Sequence, residues 1–121
     1  MGASVLIVDD CTRFHAAAAE LLTVRGLGIF GTAVNGDQAI KLTADACPDG
    51  ILLDITLSGP DGFTVAAALA LICPSARIVL TSASVDRVSD ELLRASGAIT
   101  FVTKDQLASS DLAMLFTPED R

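Results

Sequence analysis

Six residues of this chain have the types and places to do chemistry together: Asp9, Asp10, Asp54, Thr81, Ser82 and Lys104. Each stands at the end of a short apolar run. "SVLIV" (4–8) leads into Asp9 and Asp10, and "GILLD" (50–54) ends on Asp54. "ARIVLTS" (76–82) ends on Thr81 and Ser82, and "AITFVT" (98–103) leads into Lys104. An acid at the tip of a buried strand needs either a partner or a role. If the strands are neighbours, three carboxylates, one or other of the two hydroxyls and an ammonium meet on one rim. Clustered carboxylates repel one another, and a divalent cation removes the conflict. Mg²⁺ suits such a set, because it takes one or two carboxylates, keeps several waters and shares its shell with a phosphate. Metal, ammonium and hydroxyl together cradle the three oxygens of a phosphoryl group. At the centre stands Asp54, whose carboxylate is placed to attack phosphorus as a nucleophile.

The elements that must position these residues alternate along the chain. A strand at 4–8 precedes a helix from about Thr12 to Arg25, with Gly26 as its stop. "LGIFGTAV" (27–34) is a weaker strand, diluted by glycines, and "NGDQAIKLTADAC" (35–47) is a helix ended by Pro48. After the strand at 50–54 and a loop, an Ala-rich helix runs from Phe63 to Cys73 and stops at Pro74. The strand at 76–82 is followed by "VDRVSDELLRASG" (85–97), a helix with Val85, Val88, Leu92 and Ala95 on one face and Gly97 as cap. The fifth strand covers 98–103, and a last helix lies between about Gln106 and Phe116. Five strands alternating with five helices describe an α/β domain, a mainly parallel sheet with helices on both faces. In such sheets ligands bind beyond the carboxyl ends of the strands, where the six polar residues stand.

The totals agree. The chain has 121 residues, enough for one domain over 1–121 and short for a second, so no output domain is expected within it. Hydrophobic residues make up 51% of it, which suits a globular core. "FTVAAALALIC" (63–73) is the longest near-apolar run and falls short of the roughly 20 residues a membrane helix needs. The N-terminus has no signal-peptide pattern, which makes the cytoplasm the default compartment. A net charge of −7 argues against direct contact with nucleic acid or an anionic membrane. The three cysteines, Cys11, Cys47 and Cys73, are odd in number and lack CxxC spacing. They read as reduced cytosolic thiols, neither a disulfide frame nor a zinc site.

Taken in order, "VDD" (8–10), "LLDITLSGPDG" (52–62), "VLTSAS" (79–84) and "GAITFVTKD" (97–105) make the chain resemble a response-regulator receiver domain of two-component signalling. The resemblance covers essentially all of it and implies the flavodoxin-like receiver fold, a doubly wound five-stranded parallel sheet of strand order 2-1-3-4-5. It implies that Asp9 and Asp10 are the metal-binding pair, Asp54 the phospho-acceptor and Lys104 the family lysine, with Mg²⁺ as cofactor. It further implies that the backbone carbonyl of Thr56 completes the metal shell, and that Gly62 is the glycine opening the third helix. The family hydroxyl is Thr81 or Ser82; spacing back from Lys104 and the place at the strand's end favour Ser82. Phe101 falls where the family has its switch aromatic. Two departures stand out: Ser58 replaces the usual loop proline, with Pro60 nearby, and Asp105 follows Lys104 where proline is frequent. The implied partners are a sensor histidine kinase or phosphotransfer protein and a downstream protein target or output domain; the sequence leaves open whether a second copy of the chain makes a homodimer.

Plainer readings accompany the sharper ones. Asp9 and Asp10 would also serve as caps for the first helix. His15, inside that helix without an acidic or metal-ligand partner in pattern, reads as structural or solvated, and Cys11 as an inert thiol. On its residues alone Phe101 is a core or edge aromatic. The Ala-rich third helix carries no charge, so Ala66, Ala67, Ala68 and Ala70 form either a neutral solvent face or a partner surface. Two other functions fit in part. A Mg²⁺-dependent phosphatase or phosphotransferase would need a second Asp where Thr56 stands. A phosphate-independent interaction module would be favoured by loss of the acidic pair or the lysine, and neither is lost.

Overall fold

A computed structural model describes residues 2–57, 59 and 61–117. The loop residues Ser58 and Pro60, and the Pro118 that follows the last helix, lie outside the described residues. Five strands, β1 (Ser4–Val8), β2 (Gly28–Ala33), β3 (Gly50–Asp54), β4 (Arg77–Ser82) and β5 (Thr100–Thr103), pair in parallel in the order 2-1-3-4-5. The helices are α1 (Thr12–Val24), α2 (Gly36–Asp45), α3 (Gly62–Ile72), α4 (Asp90–Ser96) and α5 (Leu112–Phe116).

Burial follows each strand's place in the sheet. The central strand β3 is buried throughout, which its unbroken apolar run requires. The edge strand β2 is mostly exposed or half-buried, and its two glycines reflect that position. Strand alternation sends side chains to two cores. Leu6, Val8, Ile51, Leu53, Ile78 and Leu80 pack with Ala39 of α2 and Val65, Ala66 and Leu69 of α3. On the other face Val5, Ile7, Leu52 and Val79 meet Ala18 and Leu22 of α1 and Leu112 and Phe116 of α5. No described helix is long and apolar enough to cross a membrane.

Caps decide where the helices begin. Asn35, Asp61 and Ser89 each accept a backbone N–H of the first turn of α2, α3 and α4. The Ser89 cap corrects the expected helix over 85–97, which starts only at Asp90; Val85 is 59% exposed in the preceding loop. The packed side of α4 holds Leu93 and Ser96, whereas Leu92, on the expected face, is 44% exposed. Gly97 ends the helix in the left-handed region (φ 78°), which suits glycine. The expected last helix over 106–116 is also divided. Lys104–Ser109 is a 3₁₀ segment, and Asp111 caps the separate α5. Guanidinium groups fasten this part of the chain: Arg25 donates to the carbonyls of Ser110 and Ala108, and Arg77 to that of Leu115.

Two further expectations change. The alanines of α3 are no plain solvent face: Ala66 is fully buried, and Ala67, Ala68 and Ala70 are half-buried. Their small side chains let α4 lie close; a Cβ at Gly97 would come within 2.9 Å of Ala70 Cβ. The cysteines are not all free thiols. Cys47, just beyond α2, and Cys73, the C-cap of α3, form a disulfide with Cα atoms 5.7 Å apart, leaving Cys11 free and exposed. Packing of α2 beside α3 brings the pair together, and a sequence separation of 26 carries no short-motif signal.

Candidate functional site

Parallel strands end at one edge of the sheet, and all six polar residues stand on it. Asp54 closes β3 beside Thr81 in the β3–β4 register, and Ser82 lies beside Thr103 in the β4–β5 register, one residue before Lys104. Asp9 follows β1 directly. Carboxylate oxygens of Asp9, Asp10 and Asp54 lie within 4.8 Å of one another, with Asp9 and Asp54 buried and Asp10 exposed.

Lys104 reaches over this group. Its ammonium is 2.8 Å from Asp9 Oδ2 and 3.3 Å from Asp54 Oδ2, and it sits 4.3 Å above the centroid of the Phe14 ring. Burial pushes the lysine down, but the hydrogen bond to Asp9 and the charges of Asp54 and Asp9 outweigh it, and the net shift is upward. Burial also pushes Asp9 up; hydrogen bonds from Lys104 and the Cys11 amide oppose this, the Asp54 charge adds to it, and the net shift is upward. A buried acid that titrates high despite an ammonium at its side is still short of positive charge.

The turn after β3 holds Asp54 in place. The amide and hydroxyl of Thr56 both donate to Asp54 Oδ1, at 2.9 and 2.8 Å, so Oδ2 faces the lysine. Gly62 packs against the same turn: a Cβ there would lie 2.3 Å from Ile55 Cα and 2.5 Å from the Asp54 carbonyl oxygen. On β1 the capping alternative takes a specific form. The N-cap of α1 is Cys11, without a side-chain cap bond, and Asp9 Oδ1 accepts the Cys11 amide at 2.8 Å.

The two hydroxyls on β4 differ. Neighbouring strand residues point to opposite faces. Ser82 follows Ile78 and Leu80 toward the α3–α4 side, shared with Phe101, whereas Thr81 follows Val79. Ser82 is 4% exposed, and the fully buried Thr81 Oγ1 has no hydrogen-bond partner among the described residues. Phe101 is half-buried, packed against the α3–α4 core and lining a hollow of about 390 Å³ with Val85, Thr103, Gln106 and Ser110.

Three contacts at the rim escaped the sequence reading. The Thr56 hydroxyl had a recoverable signal, since a residue two past an Asp in a turn often meets its carboxylate. Phe14 under Lys104, and His15 donating from Nε2 to the Asp9 carbonyl at 2.6 Å, had none, because they reach the rim only through the packing of α1.

The chain matches the family described as response regulator receiver domain over residues 5–115. It is 30% identical over 104 residues to the chemotaxis protein CheY of Thermotoga maritima, covering 86% of this chain and 87% of that one. A protein-glutamate methylesterase/protein-glutamine glutaminase of Archaeoglobus fulgidus is 33% identical over 90% of this chain, which spans 32% of that protein's length. Among solved structures, a LuxR-family two-component response regulator from Aurantimonas sp. SI85-9A1 superposes with a TM-score of 0.80 at 25% identity, over 93% of this chain and 81% of that one. A response regulator from Burkholderia pseudomallei, solved with a phosphorylated aspartic acid, a calcium ion and citrate, gives 0.79 at 28% identity, over 93% and 66%. Sheet order and family match agree over nearly the whole length, and the chain belongs to the response regulator receiver domains, the CheY-like signalling domains of two-component systems.

Proposed function

We propose that this chain is a phosphorylation-activated switch that accepts a phosphoryl group on Asp54 from a histidine kinase or phosphotransfer protein. One observation carries the reading: a single buried carboxylate ends the central strand, with an ammonium 3.3 Å from its Oδ2 and two further carboxylates clustered beside it. The donor set fits Mg²⁺, since oxygens of Asp9, Asp10 and Asp54 converge and the buried Asp9 is short of positive charge. In this reading those three side chains and the Thr56 carbonyl hold the ion, which supplies charge to offset the phosphoryl oxygens and the clustered acids.

The chain's own residues do the rest. A carboxylate oxygen of Asp54 bonds to phosphorus as the donor's P–N bond breaks and its electron pair returns to the imidazole. Thr56 fixes the carboxylate through Oδ1, and Lys104, poised over Oδ2, takes up a phosphoryl oxygen. Ser82 donates to another. No substrate besides the donor is turned over, so the only catalysis is the domain's own phosphorylation and dephosphorylation.

Phosphorylation adds about −1.5 to −2 charges and three acceptor oxygens at Asp54. Movement of Ser82 toward them frees space on the face it shares with Phe101, and the Phe101 ring turns inward from its hollow. The downstream partner reads that change on the surface formed by Val85, β5 and the 3₁₀ segment. The domain works in the cytoplasm, beside such kinases, and its acidity keeps it off nucleic acid and membrane.

The test is a set of amide spectra with and without a phosphate mimic. Wild type should show shifts at Phe101 and around its hollow, and Ser82→Ala should bind the mimic while losing those distant shifts. Full wild-type shifts at Phe101 in Ser82→Ala would refute the switch.

A further inference from the structure

The Cys47–Cys73 pair lies apart from the phosphoryl chemistry. Cys47 and Pro48 precede the first residue of β3, and Cys73 and Pro74 precede that of β4, so the bridge sits at the sheet edge opposite Asp54. Its two sulfurs differ in access: Cys47 is exposed, whereas Cys73 is 1% exposed. The third thiol, Cys11, follows Asp10 at the far rim and is free.

We propose that Cys47 and Cys73 form a reversible thiol–disulfide site, closed by small disulfides and opened by small thiols through Cys47, that clamps α2 to α3. In closing, the Cys47 thiolate attacks one sulfur of a glutathione-type disulfide. That S–S bond breaks, and one small thiolate leaves and takes a proton from water. The Cys73 thiol then gives up its proton and attacks the Cys47 sulfur, expelling the second small thiol. Two electrons pass from the cysteine pair to the small disulfide. Opening is the reverse, with attack on the exposed Cys47 sulfur and departure of Cys73. In a thiol-rich compartment the pair stands open, and an oxidised small-thiol pool closes it. The closed form removes freedom from the unfolded chain and stabilises the domain without touching the carboxylate rim.

The test equilibrates the folded 121-residue chain with reduced and oxidised glutathione at varied ratios, then alkylates it and measures intact mass and peptide maps. On the oxidised side the peptide map should show a Cys47–Cys73 cross-link, with Cys11 outside it and carrying either the alkyl group or one glutathione. Reduction should lower the melting temperature by on the order of 10 °C in wild type and leave Cys47→Ser unmoved. In Cys73→Ser the peptide map should place one glutathione on Cys47, and in Cys47→Ser none on the buried Cys73. The second comparison stands even if Cys73→Ser does not fold. Mass gain from a small phosphodonor should be equal in both redox forms, which separates this site from Asp54. Alkylation of all three cysteines under oxidising conditions, a cross-link that includes Cys11, or a melting temperature indifferent to reduction would overturn the proposal.

Discussion

Asp9 shows how the rim trades stability for function. Burial holds its acid above the ordinary value of 3.8 in spite of the lysine, so the fold favours the protonated form. That contribution is complete below pH 3.8 and is lost as pH rises through the raised value. Asparagine does not titrate. Without divalent cation, the stability of Asp9→Asn relative to wild type should therefore rise from about pH 3 to neutrality, as read by urea midpoints. A difference that is the same at both pH values contradicts this account of Asp9. The proposed roles of Lys104 and Ser82 should separate kinetically. Lys104→Ala leaves Asp54 Oδ2 without its ammonium and should slow phosphoryl uptake by 10-fold or more, on the order of 1.4 kcal/mol. Ser82→Ala should accept phosphate within a few-fold of wild type and fail at the later switching step. Stopped quantification of phosphorylated protein against time distinguishes the two, and equal rates for all three proteins would remove Lys104 from the chemistry.

The loop between β3 and α3 is where an element's geometry governs the acid it carries. Gly62→Ala would drive a Cβ into the Asp54–Ile55 backbone and should cost about 1–3 kcal/mol. Asp61→Ala loses the cap on the Thr64 amide and should cost about 1 kcal/mol. Denaturant midpoints of the two variants check the order, and a Gly62→Ala variant as stable as wild type would show that the turn has slack. The rim was legible in the sequence because β1, β3 and β4 carry unbroken apolar runs that lead into polar residues, whereas β2 is diluted by glycines and ends on Ala33. The later helices were less so. A period-3.6 pattern over 85–97 cannot show that Ser89 takes the N-cap, and apolar residues at 106–116 continue through a break that only Asp111 and the arginine-bound carbonyls reveal. The disulfide was invisible for a different reason. It depends on the lateral packing of α2 on α3, which no local pattern encodes.

At the scale of the molecule, the sheet gathers acids from β1 and β3 and a cation from the end of β5 onto one edge, and leaves the apolar cores on both faces to support the cost. Cation binding should restore stability: Mg²⁺ at 100 times its Kd should add about 2.7 kcal/mol to wild type. Asp10→Asn should need more Mg²⁺ for the same thermal shift, and identical titrations of the two proteins would take Asp10 out of the metal set. In the proposed function this edge serves to phosphorylate one carboxylate, Asp54. Intact mass after incubation with a small acyl phosphate tests it directly, in wild type and Asp54→Asn, with Mg²⁺ and with chelator. One added phosphoryl mass is expected in wild type with Mg²⁺, and none with chelator or in Asp54→Asn. Undiminished labelling of Asp54→Asn, or of wild type with chelator, would contradict it.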